Sequence, residues 1–126
     1  MNTQVIATHQ APKAVGPYSQ AVRAGDFLFC AGQIPLDPVT GQLAPGGIQE
    51  QTARVMENIK AVLVSQGLGL ERVVKTTVFM VNLADFAAMN EVYARSFPSN
   101  PPARSTVQVA ALPKGAQVEI EVIAAY

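Results

Sequence analysis

Near the C-terminus the sequence reads Val118-Glu119-Ile120-Glu121-Val122, an alternation of apolar and acidic side chains. In an extended strand this places both carboxylates on one side, roughly 7 Å apart, and the three aliphatic side chains on the other. Period two alone makes the two glutamates equal candidates for proton-transfer chemistry. By the same alternation Arg104, Thr106 and Gln108 share one side of a preceding extended run, and Lys75, Thr77 and Phe79 share one side of another. If these sides coincide, one sheet surface carries a guanidinium, two carboxylates and several hydroxyls. A surface of that kind faces water on a half-buried sheet, or it faces another subunit. Ile123, Ala125 and Phe79 fall on the same side, and a mixed apolar and charged face on a small protein suits a subunit contact.

The other reactive side chains are few. His9 is the only histidine and Cys30 the only cysteine, so the chain cannot form an internal disulfide or assemble a zinc cluster from the usual ligands. Any chemistry must use carboxylates, arginine, tyrosine, hydroxyls or backbone groups. Cys30 sits in a strand-like run with no histidine beside it, which reads as inert packing. His9, in Thr8-His9-Gln10, reads as a surface residue.

At 126 residues the chain is expected to form one domain spanning 1–126. Hydrophobic residues make up 49% and charged residues 14%, with nine basic and nine acidic side chains scattered among one another. No basic stripe marks a nucleic-acid surface, so nucleic acid is not an expected partner. No run approaches the ~18 uninterrupted apolar residues of a membrane span, and the N-terminus lacks the pattern of a secretion signal. A cytoplasmic location is therefore expected.

Gly and Pro clusters punctuate the chain and separate about eight elements. Residues 3–7 suit an edge strand. Tyr18 to Ala24 and Phe27 to Gly32 flank Gly25-Asp26, the signature of a tight hairpin. From Ile48 to Gln66 apolar residues recur at 48, 55, 56, 59, 62 and 63, with Glu50, Arg54, Glu57 and Asn58 on the other side, which predicts an amphipathic helix ended by Gly67. Val73 to Val81 has the Val, Thr and Phe content of a buried strand. Asn82 followed by Asp85 predicts the start of a second helix running to about Phe97. Its apolar stripe holds Phe86, Tyr93 and Phe97, with Asn90 on the same face, and a buried amide requires a partner. Strands Arg104 to Ala110 and Gln117 to Ala125 complete the order. The predicted class is α+β, a mixed sheet covered on one face by two helices that bury Val118, Ile120 and Val122.

Several strings resemble the RidA/YjgF family across nearly the whole chain. They are Gly16-Pro17-Tyr18-Ser19-Gln20-Ala21, Ala31-Gly32-Gln33-Ile34-Pro35, Val74-Lys75-Thr76-Thr77-Val78-Phe79, Pro102-Ala103-Arg104-Ser105, Ala111-Leu112-Pro113-Lys114-Gly115 and Val118-Glu119-Ile120-Glu121. The resemblance implies a chorismate-mutase-like α+β fold and a homotrimer whose sheets pack into a central barrel, with active sites between neighbours. It implies hydrolysis of 2-iminopropanoate, 2-iminobutanoate and related imino or enamine acids, with no metal or cofactor.

The resemblance also assigns roles. Arg104 matches the arginine that binds the substrate carboxylate, a task suited to a planar, permanently charged fork; the competing role is an ion pair with Glu119 or Glu121. Glu119, rather than Glu121, matches the glutamate that activates the hydrolytic water. Tyr18 matches a tyrosine lining the site, although a lone tyrosine is often core. Asn90 matches an asparagine near the site, where an internal cap to the sheet is the other reading. Gly32 is expected to let a ligand approach the backbone, and the backbone at Thr106 to donate an amide to the substrate carboxylate. The sequence departs from many members in carrying Ala31 for serine and Thr106 for cysteine.

Overall fold

The structure, a computed structural model, describes residues 2–126. Strands β1 (Thr3–Ile6), β2 (Ala21–Ala24) and β3 (Phe27–Gln33) are followed by helix α1 (Ile48–Val64). Strand β4 (Val73–Met80), helix α2 (Phe86–Ala94) and strands β5 (Ala103–Gln108) and β6 (Val118–Ala125) complete the fold. They form one six-stranded mixed sheet in the order β1-β2-β3-β6-β4-β5. Among the described residues only β4 and β5 are parallel neighbours. The expected α+β class, with two helices on one face, is what the chain adopts. No described helix is long and apolar enough to cross a membrane.

The β2–β3 hairpin turns at Gly25-Asp26, with Gly25 at φ 60. A positive φ at the first turn position is cheap for glycine and matches the twist of the flanking strands. Helix α1 begins where the Glu50 carboxylate accepts the Gly47 N–H at 3.1 Å. It stops where the N–H groups of Gly67 and Leu68 donate to Val64 and Leu63, the bond pair of a Schellman stop.

The core lies between the helices and one sheet face. Val55, Ile59, Val62 and Leu63 of α1 and Met89 of α2 pack over Leu28, Val78, Met80, Val118, Ile120 and Val122, all essentially buried. Asn58 belongs to this buried side, against the expectation that it faces solvent. Its amide donates to the carbonyls of Ile34 and Leu36, so it ties α1 to the segment leaving β3.

The second helical region is shorter than its periodicity suggests. Asn82 caps a single 3-10 turn by accepting the Ala84 N–H, and α2 runs only from Phe86 to Ala94. Its buried positions are Met89, Val92 and Tyr93, whereas Phe86 stays on the rim.

The opposite sheet face is uncovered. Partners across a sheet share a face, so the registers place Val5, Val22, Phe29, Ile123 and Lys75 in one row across it. Glu121 lies opposite Thr77 and Glu119 opposite Phe79 on the same face. Val5, Phe27, Phe29 and Val107 remain 43–69% exposed there.

Candidate active site

Glu119 leaves β6 on the open face, beside the point where the β3–β6 register shifts between Cys30 and Gln33. The irregularity brings Gly32 against the glutamate: a methyl built on Gly32 would sit 2.9 Å from the Glu119 carboxyl carbon. Glycine at this position therefore lets the carboxylate pack on bare backbone; a side chain here would push it aside. Burial first, and the neighbouring Glu121 charge second, raise Glu119's proton affinity above that of an ordinary glutamate. Glu121 is exposed and is not among the residues that line the Glu119 cleft.

Glu119, Gly32 and Tyr18 line one cleft of about 410 Å³, together with Ala31, Ile34 and Lys114. Tyr18 precedes β2 instead of forming its start, because the N–H of Tyr18 closes a turn onto Gly16 at 2.9 Å. Its hydroxyl accepts the Val15 N–H at 3.4 Å, and the side chain is 51% exposed. The loop is anchored by Gln20. Its buried amide accepts the Thr8 N–H at 2.6 Å and donates to the carbonyls of Thr8 and Pro12 at 3.0 and 2.8 Å. Gln20 falls within the Gly-Pro-Tyr-Ser-Gln-Ala string, but nothing in its type or spacing marks it as an anchor. Lys114, also unforeseen, is held at φ 57 before Gly115 at φ 73 and reaches the cleft wall.

Arg104 is elsewhere. It lies opposite Thr76, which lies opposite Val122, and both of those are buried beneath the helices. Arg104, Thr106 and Gln108 thus point to the helix-covered side, not to the side of Glu119 and Glu121. Of the sides whose coincidence would make one polar face, that of Lys75, Thr77 and Phe79 does coincide with the glutamates' but that of Arg104 does not, because alternation fixes which residues of a strand share a side but not which sides of two strands coincide. The ion pair between Arg104 and either glutamate is absent for the same reason. β5 and β6 are separated by β4, about 10 Å apart, and the two side chains leave the sheet on opposite faces.

The guanidinium instead meets α2. One terminal nitrogen donates to Asn90 Oδ1 at 2.6 Å, and its carbon lies 4.8 Å from the Tyr93 ring centre and 5.4 Å from that of Phe86. Asn90, Tyr93, Phe97, Pro102 and Arg104 border an open hollow of about 430 Å³ that shares no residue with the Glu119 cleft. No carboxylate pairs with Arg104 among the described residues.

β5 is an edge strand, bonded only to β4. The Val109 N–H donates to Met80 O at 2.8 Å. Strand N–H groups alternate in direction, so those of Arg104 and Thr106 point off the free edge. The Thr106 hydroxyl is buried without a hydrogen-bond partner among the described residues. Cys30 is buried, its thiol pushed up to about 12 by burial, and His9 is exposed and lines neither the Glu119 cleft nor the Arg104 hollow.

The family model described as endoribonuclease L-PSP matches residues 8–126. A RutC family protein of Pyrococcus horikoshii is 54% identical over 121 residues, 96% of each chain. The chain belongs to the RidA/YjgF family. Among relatives in the RidA/YjgF family, the 2-iminobutanoate/2-iminopropanoate deaminase of Mus musculus is 46% identical over 121 residues, 96% of this chain and 90% of its own. The crystal structure of E. coli TdcF with bound serine superposes with a TM-score of 0.92 at 44% identity, covering 98% of each chain. The RidA/YjgF fold thus carries both the Glu119 cleft and the Arg104 hollow.

Proposed function

We propose that the chain is the subunit of a cytoplasmic homotrimeric hydrolase that converts reactive 2-imino acids, such as 2-iminobutanoate and 2-iminopropanoate, to 2-oxo acids and ammonia without a cofactor. One observation carries this reading: the chain holds an unneutralised, rigidly oriented cation and a carboxylate of raised proton affinity in two separate half-sites. A single chain cannot bring both to one small molecule. A second copy that lays its β5 edge beside the Tyr18–Gly32–Glu119 cleft can, and the uncovered, partly apolar sheet face favours such an assembly. The deaminase name of the mouse relative and the amino acid bound to TdcF agree with a small carboxylate ligand.

In this site Arg104, with the outward N–H of Thr106, holds the substrate carboxylate. Tyr18 covers the substrate, and Glu119 of the neighbouring copy takes a proton from water as the oxygen bonds to the imine carbon. The C=N electron pair moves to nitrogen, which picks up that proton. The resulting amino alcohol loses its hydroxyl proton as the C–N bond breaks, and the nitrogen, protonated again, departs as ammonia. One water is consumed per imine. A glutamate with raised proton affinity suits both halves, since it must accept a proton and return it.

The test follows 2-iminobutanoate, generated in situ by threonine dehydratase and trapped with semicarbazide. The protein accelerates imine loss, and Arg104→Ala raises the barrier by about 3 kcal/mol, more than a hundredfold in rate. Near-normal turnover in that variant would remove Arg104 from the mechanism. Glu119→Gln loses turnover while retaining affinity for 2-oxobutanoate. If that variant matches the parent in turnover, the general-base role is wrong. Binding of 2-oxobutanoate by a parent protein that turns over no imine would instead indicate a sensor of small carboxylates.

A further inference from the structure

Among the described residues, every group that holds the Arg104 guanidinium is uncharged. Asn90 Oδ1 accepts one terminal N–H at 2.6 Å, and the Tyr93 and Phe86 rings lie 4.8 and 5.4 Å from the guanidinium carbon. The Tyr93 ring is itself fixed, by a buried 2.8 Å hydrogen bond between its hydroxyl and Thr76 Oγ1 and by packing on Phe97 at 4.9 Å. The same stretch of chain supplies carboxylates at Asp85 and Glu91, each adjacent in sequence to a clamp residue. Glu91 nevertheless reaches Arg95, at 3.8 Å, and the 3-10 turn before α2 ends at Asp85. An amide and two rings, not an acid, meet the guanidinium.

We infer that Asn90 is a positioning residue whose neutrality is its function: with Phe86 and Tyr93 it orients Arg104 while leaving the full positive charge for an incoming carboxylate. An amide oxygen fixes a guanidinium by one directional bond, and a ring face attracts it through its quadrupole; neither cancels its charge. An aspartate would keep the bond geometry and add a competing anion at the same distance. This rests on the proposed carboxylate-binding role of Arg104, and it assigns Asn90 to the arginine rather than to the substrate.

The experiment compares Asn90→Asp with the parent in melting temperature, in KM and kcat for 2-iminobutanoate, and in calorimetric Kd for 2-oxobutanoate. Expected is a melting temperature above the parent's, because a half-buried ion pair has been created, with KM and Kd raised on the order of tenfold or more and kcat changed far less. Unchanged affinity for 2-oxobutanoate overturns the inference. So does a loss of affinity accompanied by a fall in melting temperature, which marks a merely structural role. A second arm needs no ligand: the stabilisation produced by Asn90→Asp must disappear in an Arg104→Met background. If the parent neither hydrolyses imines nor binds 2-oxobutanoate, the deaminase reading fails by itself, and this coupling alone decides whether Asn90 positions Arg104.

Discussion

Glu119 and Glu121 show what one step along a strand can change. Both leave β6 on the open face, but only Glu119 lies against Gly32, where burial and the Glu121 charge raise its proton affinity. A carboxyl group with a raised folded-state pKa contributes stability below the ordinary glutamate pKa, and that contribution is lost as pH rises through the raised value. Activity runs the other way, because a general base must be ionised. The acidic limb of kcat/KM is therefore expected above the range of an ordinary glutamate. Glu121→Gln, by removing the second cause, should move this limb to lower pH in a pH–rate profile of imine hydrolysis. A limb that stays in place would mean that Glu121 does not act on Glu119. Period two could not separate these residues, because what separates them is a register shift in β3, a strand that does not even adjoin β6 in sequence.

Elements were legible wherever local chemistry decides them. The Gly25-Asp26 hairpin, the amphipathic face of α1 and the strand character of β4 and β6 follow from turn residues and periodicity. Tertiary pairing was not legible. Asn58 looks like a surface residue until the carbonyls of Ile34 and Leu36 come to lie under it. Arg104 looks like a neighbour of the glutamates until the β4-α2-β5 crossover sets β5 parallel to β4 with Thr76 opposite. The irregular end of β3 is the element on which the site depends most, and Gly32→Ala tests it. The clash falls on the far end of a flexible side chain, so the fold should tolerate it while the Glu119 carboxylate is pushed aside. The expected result is a kcat reduced on the order of tenfold or more with a melting temperature near the parent's, since misplacing a base is costly in rate. A variant with parental kcat would show that the packing of Glu119 on Gly32 is incidental.

At the scale of the molecule, one sheet face is sealed by helices and the other is left half apolar. Covering Phe27 and Phe29, which are 44% and 46% exposed, would contribute on the order of 1 kcal/mol each, which a stable assembly needs in multiples. Phe29→Glu, at the centre of the Val5–Val22–Phe29–Ile123–Lys75 row, should yield monomers by light scattering and abolish turnover without unfolding the chain. An intact oligomer with full activity would place the interface elsewhere. In the proposed assembly the two faces also divide the chemistry: each chain would donate Arg104 to one neighbour's site and Glu119 to its own cleft. Two inactive proteins should therefore cure each other. When Arg104→Ala and Glu119→Gln subunits are unfolded together and reassembled at equal ratio, random exchange leaves about a quarter of the interfaces with both groups intact. Activity well above either component's residual rate should reappear from the mixture, as it does when two defective alleles complement within one oligomer.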